Sequence, residues 1–166
     1  ALQYTIITVN EMEEDKSVVT TLCTSIKKSD VIQEVSNSLG RAAKMRAFDD
    51  MNECLDAFTE LLFFCRRVHC DIKPPSGQIV SLLSSRNLVL DSLKTRPEGI
   101  VSLLRATCLL DEHVFSSLSP DVAPLLATSA RNSNMARQCK TELEQLRSVQ
   151  SQASLEFSRS FLSHLL

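Results

Sequence analysis

The sequence predicts an all-α fold, an antiparallel up-and-down bundle of four to five helices, two of them long. Three observations carry that expectation. The chain has 166 residues, 43% hydrophobic and 23% charged, enough to bury one sizeable core. It holds only 3 Gly and no Trp, whereas sandwiches and α/β nucleotide folds place glycine at many tight turns. Its apolar residues recur at steps of three and four, the period of a helix with one buried face. No repeat of fixed period is visible, which weighs against a helical solenoid.

Residues 1–10 stand apart as a linker or lone strand. The stretch from Leu2 to Val9 is β-branched and partly alternating, and a single strand cannot satisfy its own ladder. Residues 11–166 form the bundle domain. Its first helix starts in the acidic run Glu11 to Asp15, since carboxylates favour the positive end of a helix. Val19, Leu22, Cys23 and Ile26 follow at helical spacing, and Lys27 and Lys28 suit a C-terminus. Asp30 with Gln33 reads as a capping box marking a break or a new start, the alternative being a helix that runs straight through.

A second, long helix is expected from residue 31 to 71. Phe48, Met51, Leu55, Phe58, Leu62, Cys65 and His69 step alternately by three and four, an uninterrupted seam. Val35, Leu39, Ala42 and Met45 extend it backwards with a small change of phase. Forty helical residues would span roughly 60 Å at 1.5 Å each. Leu61, Phe63 and Phe64 lie off the seam, so that section needs cover on more than one side.

Pro74-Pro75-Ser76-Gly77 turns the chain. The third helix carries Ile79, Leu83, Arg86, Leu90 and Leu93 and stops before Pro97. The fourth opens at Pro97 or Glu98 and carries Ile100, Leu104, Cys108, Asp111, Phe115 and Leu118. Ser119-Pro120-Asp121 is an N-terminal signature, a Ser cap followed by Pro and an acid. The last helix is expected to run from 120 to 166, with Cys139, Leu143, Leu146, Ala153, Phe157 and Phe161 on or beside one stripe. Ser151, Ser154 and Ser158 make a small ridge on it, facing water or letting another helix approach closely.

The chemistry-bearing residues point away from catalysis. Six cysteines occur at irregular spacing without a C-x-x-C pair, which reads as reduced thiols used as small apolar core residues in a reducing compartment. Cys65, His69 and Cys70 can present ligands from one helical face, with Cys108 and His113 elsewhere. Structural zinc needs about four converging groups, and both Cys65 and His69 continue the apolar seam, so no metal is expected. Asp111 and His113 would point about 200° apart on a helix and share no site. The three Gly are isolated and make no phosphate loop. No cofactor and no enzyme activity are expected.

A net charge of −2 gives no field for nucleic acid or an anionic membrane. Arg66, Arg67, Lys73, Lys94 and Arg96 form a basic end without interleaved aromatics, unlike a single-strand binding surface. The apolar run Leu61–Cys65 is far too short for a membrane span, and no charged leader precedes an apolar core, so no signal peptide is expected. Ala at position 1 reads as the start of a piece cut from a larger protein.

Asp49, Asp50, Glu53, Asp56 and Glu60 cluster by face. The commoner meaning of such a run is a solvated face. The functional meaning is an acidic groove edge that docks a basic partner, with Arg66 and Arg67 counted in the same surface. The expected function is therefore a non-catalytic protein–protein interaction module, a tail, rod, scaffold or adaptor domain of a larger cytoplasmic cytoskeletal, motor or trafficking protein. That is an analogy of architecture. The partner is a protein, for instance a helical segment anchored at i, i+3, i+4 and i+7. The alternative is a self-associating dimerisation element, with the Phe48–His69 seam pairing between copies as a coiled coil.

Overall fold

The structure is a computed structural model that describes residues 16–70, 72 and 76–166. The strand expected at 2–9, the acidic helix start at 11–15 and the Pro74-Pro75 turn lie outside the described residues. Nine α-helices occur among the described residues: α1 Lys16–Lys28, α2 Val31–Lys44, α3 Phe48–Arg67, α4 Gly77–Ser84, α5 Arg86–Thr95, α6 Gly99–Cys108, α7 Val122–Asn132, α8 Ala136–Leu146 and α9 Gln152–Leu165. Short 3-10 turns cover Glu112–Ser117 and Arg147–Val149. The described residues contain no strand. The all-α expectation holds; the two long rods do not.

The expected 31–71 helix breaks after Lys44, and its longest piece, α3, has 20 residues. The break is made by Arg46, whose φ of 53° is left-handed. With that residue turned, Ala47 N–H donates to Ala42 O at 2.9 Å and Arg46 N–H donates to Ala43 O at 3.1 Å. These two bonds satisfy carbonyls that a helix end otherwise leaves open. The change of phase at Met45 is the trace of this cap, and α2 packs back along α3 instead of prolonging it.

The same device recurs. His69, at φ 57°, ends α3, with Cys70 N–H donating to Cys65 O at 2.7 Å. Asn134, at φ 59°, separates α7 from α8, with Met135 N–H donating to Ala130 O at 2.8 Å. The expected 120–166 helix is thus three helices, the second gap being Arg147–Ser151. Asp30 stands before α2 as expected but is left-handed, with no side-chain cap bond. Gln33 Nε2 donates to Asn37 Oδ1 instead, so the capping box is not formed. Ser119 does accept a bond from Asp121 N–H, at 3.2 Å, just before α7.

The third helix divides at Ser85, whose ψ of 80° leaves the helical region. The fourth stops at Cys108, and Phe115 falls in the following 3-10 turn.

The core is built around α6. Its Ile100, Leu103, Leu104, Ala106 and Cys108 are buried, and α3, α5, α7, α8 and α9 all pack on it. Gly99 starts α6 where α3 comes close; a Cβ there would lie 2.8 Å from Asn52 Oδ1. The seam of α3 is covered within the chain, as are its off-seam residues Leu61 and Phe64. Leu55 and Phe58 are fully enclosed within the chain. His69, expected to end it, is exposed beyond the helix.

Candidate partner-binding surfaces

The acidic run on α3 is engaged mostly inside the chain. Asp49 Oδ1 accepts from Arg96 Nη1 at 3.0 Å, and the Asp56 carboxylate accepts from the Ser102 hydroxyl. Glu60 Oε1 accepts from Arg105 Nη1 at 2.7 Å. Arg105 Nε also lies 2.9 Å from Glu142 Oε1, off the line of its N–H, so that contact is an ion pair rather than an aligned hydrogen bond. The same guanidinium sits 5.4 Å from the Phe63 ring centroid. α3, α6 and α8 are therefore joined by one shared cation. Burial pushes the Glu142 carboxyl above its ordinary range; the nearby Arg105 opposes this and Glu60 adds to it.

Arg66 is likewise turned inward. Its Nη2 donates to Leu109 O at 2.6 Å and its Nη1 to Val149 O at 3.1 Å, with Asp111 Oδ1 at 3.4 Å. Arg67 lies over the Phe63 ring at 4.9 Å. Of the seven residues expected to form a docking edge, Asp50 and Glu53 stay exposed, with no such tie among the described residues.

At the end of α3, Cys65, His69, Cys70, Asp111 and Glu112 border a recess of about 380 Å3. Among the described residues no three His, Cys, Asp or Glu side chains converge where an ion would sit. Asp111 is extended and His113 lies in a 3-10 turn, so the α-helical geometry assumed for that pair does not apply. All six cysteines are free thiols. Cys65, Cys108 and Cys139 are buried and the other three half-buried. Burial pushes the thiols of Cys23 and Cys108 up to about 12, and those of Cys65 and Cys139 to about 11. Such thiols stay protonated at neutral pH and are poor nucleophiles.

A second recess, about 630 Å3, lies between α2 and the α4–α5 corner. Lys44, Arg46 and Arg86 border it among mostly polar side chains, and Arg46 is paired with Asp91.

The third surface is an apolar groove of about 520 Å3 between α8 and α9. It arises because α8 rests on α6 while α9 rests chiefly on α7 and also on α6. Leu143 of α8 and Leu155 and Leu162 of α9 line it, with Leu166 beyond them. Lys140, Arg147 and Arg159 stand on its rim with one acid, Glu144.

Its joined end is set by a polar network. Gln150 Nε2 donates to Ser154 Oγ at 2.7 Å and to Ser158 Oγ at 2.8 Å, and Ser154 Oγ donates to Cys108 O at 2.7 Å. The serine ridge thus faces α6, and its small size is what lets the two helices approach. Ser151 caps α9 by accepting from Ser154 N–H. The sequence did not disclose this groove, because a single rod over 120–166 has no second wall. The signal was the polar stretch Arg147–Ser151, which ends one helix and caps the next.

Among the described residues no helix is long and apolar enough to cross a membrane. Comparison with protein-family models, curated proteins and solved structures finds no match.

Proposed function

We propose that this chain is a non-catalytic helical interaction module, an antiparallel helical pack that docks a protein partner through the α8–α9 groove. By analogy of architecture, it serves as a tail, rod, scaffold or adaptor domain in a larger cytoplasmic protein of the cytoskeletal, motor or trafficking kind. One observation carries the reading. A leucine-lined trough lies open between two helices, rimmed by cations that have no ion-pair partner among the described residues. Apolar troughs between helices accept amphipathic helices by their spaced anchors, and a concave apolar patch rimmed by charge is the common form of a docking site.

The test is affinity capture from cells followed by mass spectrometry, with wild-type protein beside a Leu162→Glu variant checked for folding by circular dichroism. The expected result is a saturable protein partner held by the wild type and lost in the variant. A wild-type protein that captures no saturable partner would overturn the reading.

A further inference from the structure

The layout of charge around the α8–α9 groove identifies the chemistry of its occupant, on the premise that the groove is the docking site argued above. Lys140, Leu143 and Glu144 of α8 fall at i, i+3 and i+4, and Arg147, the residue just past its end and still right-handed, at i+7, all on one face. Lys140 and Arg147 are therefore two turns apart, about 10 Å along the axis. On α9, Leu155 and Leu162 are two turns apart with Arg159 between them, and Leu166 lies one turn further on. That apolar row runs about 16 Å, roughly three helical turns. The trough thus has an oily floor three turns long and cations along both walls. Three cations stand against a single acid, on a chain whose net charge is −2.

We propose that the groove binds an acidic amphipathic α-helix of a partner protein, about three to four turns long. Its apolar residues at i, i+3 or i+4 and i+7 enter the trough, and its Asp and Glu side chains flank them on both sides. A basic helix would set like charges against the rim, a mismatch that disfavours it. A lipid gathers its charge in one headgroup plane, whereas these cations are spread along the trough on both sides. Burying the leucines supplies affinity, and the rim cations supply orientation and encounter rate.

The experiment is selection of a displayed library of helical peptides on the protein, followed by fluorescence polarisation with the enriched sequences. Enriched peptides are expected to be net acidic, with apolar residues at helical spacing, and to bind more weakly as salt rises. The Lys140→Glu, Arg147→Glu, Arg159→Glu triple variant is expected to lose about tenfold or more in affinity while keeping its circular-dichroism spectrum and melting temperature. Arg147→Glu alone serves as the milder variant, with a smaller loss in the same direction. Enrichment of neutral or basic peptides, no enriched family, or undiminished binding by the triple variant overturns the proposal. Sedimentation of the wild type, but not the triple variant, with phosphatidylserine vesicles also overturns it, by placing a membrane surface in the groove. A cellular partner retained by the triple variant overturns the groove assignment while leaving the interaction-module reading intact.

Discussion

Arg105 faces two carboxylates at once, and the balance there sets the local stability. Its head is about one-fifth exposed, so its pairs are partly shielded from solvent, and removing it leaves Glu60 and Glu142 opposed without a cation. Arg105→Met is expected to cost about 1–3 kcal/mol in urea unfolding at neutral pH. Glu142 carries a pH signature. Its folded-state carboxyl titrates above the ordinary value of 4.5, chiefly through burial. Its contribution to stability is therefore fullest below the unfolded value and is lost as pH rises through the raised folded value. Glu142→Gln, which cannot ionise, is expected to gain on the wild type as pH climbs from 4 towards 7. A flat difference across that range would count against the assignment. The buried seam is less forgiving. Leu62→Asp or Leu55→Asp puts an unpaired charge where the side chain is at most 2% exposed and is expected to remove more than about 4 kcal/mol, enough to unfold the chain. Asp50→Ala, at an exposed position, is expected to stay within about 0.5 kcal/mol.

Among the helices, the left-handed caps explain most of what pattern reading missed. A side chain at such a position costs roughly 1–2 kcal/mol relative to a right-handed residue, so glycine is the usual occupant. Here Arg46, His69 and Asn134 do the work. His69→Gly is expected to raise stability by about 0.5–1 kcal/mol, since the His69 side chain is exposed; a fall in the urea midpoint would refute the cap. The apolar period of three and four made α3 legible, because Met51, Leu55, Phe58, Leu62 and Cys65 meet the core where the seam places them. The ends at Arg46, His69 and Asn134 were not legible, since no glycine marks them, whereas the ends at Lys28 and before Pro97 lie where the sequence placed them. The acidic run on α3 was legible only as a charge pattern. Its partners Arg96, Ser102 and Arg105 are more than forty residues away, a distance that no local spacing reveals. The α8–α9 groove was hidden for the same reason as the helix ends, because it exists only once the last helix is cut.

For the molecule as a whole, α6 in the centre makes packing communal: five other helices lean on it. Its thiol Cys108 and those of Cys65 and Cys139 are enclosed and stay protonated at neutral pH. They are expected to resist iodoacetamide in the native state and to react together as the chain unfolds cooperatively. Ready labelling of Cys108 in folded protein would show an opening that this packing does not contain. Arg66 carries the last consequence. The carbonyl of Val149 that it holds lies in the turn between α8 and α9, and the carbonyl of Leu109 lies at the end of α6. The angle between the groove's walls is thereby anchored from a helix more than eighty positions upstream. A change at residue 66 is expected to loosen the turn that joins the two walls without altering any side chain that lines the groove.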